Sequence, residues 1–187
     1  MSSITKKALM ESLKKLMLQK PLNKITINDL TADCGISRMA FYYHFRDIYD
    51  LVEWACLEES TKALQGKKTY ETWQEGLLQI FEAVYENKPF IINAYHAVSR
   101  EQIENYLFQL THDLIMDVVL EQSKETMLSD AQKNFIADFY KYSFVGIMLD
   151  WIRQGMKDDY TSICDNMCTT IQGNITNSIK NFTNVSK

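Results

Sequence analysis

The residues of this chain best suited to chemistry on another molecule lie in one short run, Arg38-Met39-Ala40-Phe41-Tyr42-Tyr43-His44-Phe45-Arg46. Its donors suit an anionic, hydrogen-bonding polymer. Arg38 can donate to guanine or to phosphate, Met39 and Ala40 are flexible or small enough to approach base edges closely, and Tyr43 can reach outward. Tyr42 and His44 can donate to phosphate oxygens. Phe41 and Phe45 stand four apart, share one helix face, and are expected to hold the run on an apolar core.

The elements that must present this run are legible just upstream. Thr26 is placed to cap a helix, with Asp29 three residues later near the same positive helix end. Ile27, Leu30 and Ala32 are expected to face inward. At Cys34-Gly35 the helix should stop, because glycine readily takes the left-handed conformation that turns the chain. Ile36 follows as an apolar plug, and Ser37 can cap a second helix running through Arg38 to Phe45. Two helices joined by a short turn with glycine form a helix-turn-helix, whose second helix enters the major groove. An isolated turn of this kind would be read as an ordinary helical hairpin; here the full pattern is more specific.

Thr26, Cys34-Gly35-Ile36-Ser37 and Phe41-Tyr42-Tyr43-His44-Phe45 resemble the signature of the TetR family of transcriptional regulators. The resemblance runs strongly over residues 5–60 and continues through Asp47-Ile48-Tyr49-Asp50-Leu51. It implies an all-α protein with a three-helix DNA-binding head at residues 1–50 and a larger helical regulatory and dimerisation body at 51–187. Ile48 stands where the family commonly has a phosphate-contacting lysine, which leaves Arg46 as the substitute. Met39 stands where a glycine or small residue is usual and marks an unusual base preference.

Net charge is −4 over 187 residues, which taken alone argues against nucleic acid. The charges are segregated, however: residues 1–46 hold eight Lys/Arg against three Asp/Glu, or +5, and residues 47–187 hold twelve against twenty-one, or −9. Such a body repels DNA while the head attracts it. Lys6, Lys7, Lys14, Lys15, Lys20 and Lys24 are candidate phosphate neighbours, although each is individually an ordinary surface lysine.

Two prolines, six glycines and a hydrophobic fraction of 46% favour helices around a sizeable core. The N-terminus lacks the apolar run of a signal peptide or anchor, and no window reaches a spanning length, so a cytoplasmic protein without membrane partners is expected. Cys34, Cys56, Cys164 and Cys168 lack disulfide-framework spacing. Cys164 and Cys168 lie four apart, but with no histidine near them they read as packed thiols. No catalytic residues, metal or cofactor are expected: the chain has no Gly-rich phosphate loop, no His-Glu-x-x-His helix and no Gly-x-Ser-x-Gly turn.

Downstream the periodicity is helical throughout. A first helix is predicted over residues 3–20, with Leu9, Leu13, Leu16 and Met17 on its stripe and Pro21 at its end. A connecting helix from Asp47 carries Leu51, Trp54, Ala55 and Leu57 toward a boundary at Gln65-Gly66-Lys67-Lys68. Tyr70, Trp73, Leu77, Phe81 and Val84 follow at helical spacing; Pro89 opens a short segment. Ser99 with Gln102 and Ser129 with Gln132 have the form of capping boxes. The first starts a helix with Ile103, Tyr106, Leu107, Leu110, Leu114 and Val118.

From residue 135 to 152 the chain is apolar on nearly every side, which calls for two packing partners. One is the body; the other is expected to be a second copy about a twofold axis, giving a homodimer. Gly155 should end this helix. Candidate interface residues are Phe135, Phe139, Tyr142, Val145, Met148 and Trp151, with Ile163, Met167 and Ile171 from a last helix predicted over residues 160–182. A monomeric bundle would leave too much apolar surface exposed. A dimer implies a palindromic double-stranded DNA site.

The resemblance also implies a small-molecule effector that releases the protein from DNA, bound among body aromatics and polar tips. The candidates are Phe81, Tyr85, Tyr95, His96, Tyr106 and His112, of which an aromatic stripe is more often core. Trp73, Phe90, Phe108 and Met116 lie in the same region. The alternative is a transcriptional activator controlled by a protein coactivator. The body, Met39 and the acidic surface are similar to the branch of the family that activates dihydroxyacetone-kinase operons.

Overall fold

A computed structural model describes residues 2–63, 69, 71–97 and 100–185. Ten α-helices occur among them: α1 (Ser2–Met17), α2 (Ile27–Cys34), α3 (Arg38–Tyr42), α4 (Ile48–Ala63), α5 (Trp73–Glu86), α6 (Lys88–Ala97), α7 (Arg100–Gln122), α8 (Asp130–Arg153), α9 (Tyr160–Ile171) and α10 (Asn174–Val185). No strand is present among the described residues.

Leu9, Met10, Leu13 and Met17 form the buried stripe of α1. The helix ends three residues sooner than predicted, because the segment before Pro21 leaves the α conformation and a single 3-10 turn, Leu22–Lys24, follows. These residues join Ile25, Leu30, Phe41, Phe45, Leu51, Val52 and Ala55 in one apolar core. That core does not stop at residue 50. Three members come from α4 beyond it, and Phe90 and Ala94 of α6 complete it from the body side.

The second core centres on α7 and α8, covered by α5, α9 and α10. Trp73 stacks on Phe144 with ring centroids 6.2 Å apart. The α8 helix begins at the expected capping box, with Ser129 N–H donating to Gln132 Oε1 and Gln132 N–H donating to Ser129 Oγ. It ends before Gly155, whose φ is +79°. The Ser99–Gln102 box, the Gln65–Lys68 boundary, Tyr70 and the side chains of Ile103, Tyr106 and Leu110 lie outside the described residues.

The α8 helix packs one face on the chain's own core, burying Val145, Met148 and Trp151, and leaves Phe135, Phe139, Tyr142 and Ile147 exposed. Trp151 Nε1–H donates to Asp158 O at 2.9 Å and so ties α8 to the following loop. The last helix is two helices, since the backbone departs at Gln172 and Gly173 adopts φ +75° between α9 and α10. Met167 is buried within the chain's own core, and Ile163 and Ile171 are half-buried against the same core.

Candidate nucleic-acid interface

The frame of the interface is set by local hydrogen bonds. Thr26 caps α2 reciprocally: Asp29 N–H donates to Thr26 Oγ1 at 3.2 Å and Thr26 N–H donates to Asp29 Oδ2 at 2.8 Å. Lys20 Nζ also reaches Asp29 Oδ2, at 2.9 Å. This lysine first, and then the Thr26 amide and hydroxyl, hold the Asp29 carboxyl at a pKa of about 2. Gly35 closes α2 with φ +65°, and its left-handed backbone aims the chain into α3. Ser37 caps α3 by accepting from Ala40 N–H at 3.2 Å.

The second helix is shorter than the sequence suggested. It ends at Tyr42, with Tyr43 as its cap, because the carbonyl of Phe41 takes both His44 N–H and Phe45 N–H as the chain turns toward α4. Phe41 and Phe45 are buried with centroids 5.9 Å apart, and they anchor the reading segment as expected. Lys6 Nζ lies 5.4 Å from the ring centroids of both Phe45 and Trp54. One of the six candidate lysines is thus seated on the aromatic pair behind the reading segment.

On the outer surface two stripes stand side by side. Arg38 and Tyr42 form the first, with Arg38 Nη2–H donating to the Tyr42 hydroxyl at 3.3 Å and the guanidinium 6.0 Å from the ring centroid. The hydroxyl accepts in this bond, so its own proton stays available for a phosphate oxygen. Met39 and Tyr43 form the second stripe and are 79% and 82% exposed. Ala40 and His44 are half-buried, the His44 ring lying edge-on to Tyr43 at 4.9 Å. Arg46 is exposed, but its N–H and Nε–H both address Asp50 Oδ2, at 2.9 and 3.5 Å. Ile48 packs against the head core, which explains how an apolar residue stands at that position.

Sequence reasoning missed one residue that joins this interface to the body. Asn93 on α6 accepts Leu22 N–H through Oδ1 at 2.9 Å, and through Nδ2 it donates to Met17 O at 3.1 Å and Lys20 O at 3.2 Å. These are backbone groups at the end of α1 and on either side of Pro21. The one signal was asparagine inside a helix, where its propensity is poor.

The expected effector residues are spread over α5, α6 and α7, and the side chain of Tyr106 lies outside the described residues. Phe81 is fully buried and meets Trp151 at 5.3 Å, and Tyr85 lies over Trp151 and Tyr160 at 6.2 and 5.3 Å. Tyr95 and His96 pair with each other near the end of α6, with His96 exposed. His112 faces α8, its Nε2 3.6 Å from Asp138 Oδ1 and its Nδ1 3.8 Å from Asp113 Oδ1. Asp138 also pairs with Lys141 at 2.6 Å. Burial pushes the Cys164 thiol up to about 12 and raises Cys168 as well, in keeping with packed, protonated thiols. No helix of the described residues is long and apolar enough to cross a membrane.

A capped helix-turn-helix on a basic head, joined to a helical body, defines a DNA-binding transcriptional regulator of the all-α class. Two family models match the chain: bacterial regulatory proteins of the tetR family over residues 9–55, and a transcriptional regulator C-terminal region over residues 71–173. The chain belongs to the TetR family of transcriptional regulators.

Among curated proteins it is similar to the HTH-type dhaKLM operon transcriptional activator DhaS of Lactococcus lactis subsp. lactis (strain IL1403), 24% identical over 82% of each chain. Among solved structures it is similar to the dihydroxyacetone kinase operon activator DhaS, with TM-score 0.73 and 22% identity, covering 92% of this chain and 96% of that one. A TetR transcriptional regulator from Rhodococcus sp. RHA1 follows at TM-score 0.64 and 10% identity, covering 91% and 98%. NalD of Pseudomonas aeruginosa, the secondary repressor of the MexAB-OprM multidrug efflux pump, gives 0.58 and 14%, covering 91% and 96%. An activator and a repressor therefore share this fold.

Proposed function

We propose that this regulator works as a homodimer that reads a palindromic operator, with α3 of each protomer in successive major grooves roughly 34–36 Å apart. The observation that carries the reading is α3 itself, a helix capped at Ser37, pinned by Phe41 and presenting Arg38, Met39, Tyr42 and Tyr43 outward from a segment of charge +5. Thr26 and Ser37 fix the frame, Ala40 permits close approach, and His44 and Arg46 flank the contact. Residues 1–50 act as the reading unit and 51–187 as the regulatory unit, with α6 shared between their cores and α4 of the head core packed against α5 and α7.

Dimerisation is supported by the exposed stripe Phe135, Phe139 and Tyr142 on α8, which Phe182 of α10 borders through an edge contact with Phe135 at 6.2 Å. The half-buried Ile163 and Ile171 remain candidates for its margin. Selection of bound duplexes from a random pool, followed by affinity across a salt series, tests this function. Enrichment of a palindrome with steep salt dependence is the expected result; failure to enrich any sequence would sink it.

Control of DNA binding passes from body to head through α6 and α4 in this reading, under a small-molecule effector that meets the polar tips His96 and His112. A second reading of the control is favoured by the likeness to the Lactococcus activator over 82% of both chains. In it the regulator activates a dihydroxyacetone-kinase operon and responds to a protein coactivator on the body. A promoter fusion assayed with and without the regulator separates the two: activation that persists without added metabolite and depends on a co-expressed kinase-like protein favours the second.

A further inference from the structure

We infer that α3 specifies its operator chiefly through thymine methyl groups, read by Met39 and Tyr43; the inference rests on the DNA-reading function proposed above. Met39 and Tyr43 have the two highest exposures among the head's large apolar side chains, 79% and 82%. Tyr43 N–H donates to Met39 O at 3.0 Å, so the pair stands one helical turn apart on a single face.

The polar side chains beside them are engaged within the protein. Arg38 is drawn onto the hydroxyl and ring of Tyr42, and Arg46 is drawn back toward Asp50. A guanidinium held in this way is better placed for phosphate than for the bidentate grip on guanine O6 and N7. What stands outermost on this face is an unbranched, polarisable thioether and an aromatic ring whose edge is steadied by His44 at 4.9 Å.

The major groove offers one apolar group to such side chains, the C5-methyl of thymine. Four residues of α-helix rise about 6 Å, and base steps are about 3.4 Å apart. The two methyl groups should accordingly lie one or two base steps from each other in every half-site.

Replacing thymine by deoxyuridine removes the methyl and keeps every hydrogen-bonding group of the base pair. The test takes the operator enriched from the random pool and substitutes deoxyuridine for each thymine in turn, measuring affinity by fluorescence anisotropy. Removing one buried methyl group should weaken binding about fourfold, and about sixteenfold when both half-sites carry the change. Met39→Ala should erase the effect at one of the two positions and Tyr43→Ser at the other. Both side chains are exposed, and circular dichroism is the check that each variant is folded. An enriched operator indifferent to every deoxyuridine, or one whose α3 footprint holds only G·C pairs, would overturn this inference and leave the DNA-reading function standing. Failure to enrich any duplex would overturn both.

Discussion

Met39, Tyr42 and Tyr43 in the reading segment and Phe135, Phe139 and Tyr142 on α8 are both exposed, largely aromatic groups spaced at three and four residues. Their surroundings differ. The first sits in a segment of charge +5 on a five-residue helix, and the second in a segment of −9 on a helix of 24 residues. A short helix on a basic ground matches a groove lined by phosphate, whereas a long helix on an acidic ground offers an extended apolar face to another protein surface. Spacing alone therefore does not identify a partner; length and field do.

The sharpest way to break this contrast is to charge the long stripe. Phe135→Glu with Phe139→Glu should convert the proposed dimer to a monomer in sedimentation velocity, each anchor being worth about 2 kcal/mol or more. Affinity for the full palindrome should then fall by about 100-fold or more, while α3 still binds a single half-site weakly. A dimer that survives both glutamates would show that the α8 stripe serves something else.

On the short stripe, Arg38→Ala should cost about 1–3 kcal/mol of DNA affinity and reduce the salt slope by about one phosphate contact, with the dimer intact. Binding that is unchanged across the salt series would remove Arg38 from the contact. Between the stripes, Asn93→Ala strips the partners from Leu22 N–H, Met17 O and Lys20 O. It should destabilise the chain by about 1–3 kcal/mol, read as a lower melting temperature with faster hydrogen exchange at the Leu22 amide.

Smaller effects are expected in the frame that holds the short stripe. Thr26→Ala should cost about 1 kcal/mol in urea denaturation through loss of the α2 cap. Asp29 titrates at about 2 in the folded protein against an ordinary 3.8, so its stabilisation is complete above that ordinary value. It is lost as pH falls toward 2. Between pH 4 and 2 the melting temperature of Asp29→Asn should drop less than that of the parent chain, and equal drops would show that other carboxylates carry the acid transition.

The sequence reveals the features that depend on a few neighbouring residues. Thr26 with Asp29, Ser129 with Gln132, and Gly155 each announce a helix end because a cap is made within three or four positions. Features decided by distant packing were hidden. Between residues 135 and 152 apolar side chains surround the helix, so periodicity cannot separate Val145, Met148 and Trp151, which face inward, from Phe139 and Tyr142, which face out. The break at Gly173 was hidden because the isoleucines continue at helical spacing across it. Asn93 acts on groups more than 70 residues away in sequence, and no local pattern points there.

Asn93 also bears on how such proteins diversify. Its hydrogen bonds to the head go to main-chain atoms of Met17, Lys20 and Leu22, atoms that every non-proline residue supplies alike. Changing the side chains that read DNA leaves this attachment in place. A head with different sequence preferences, grafted onto the same body at the end of α1, would arrive already fastened to α6, and new operators can be acquired without reinventing the attachment.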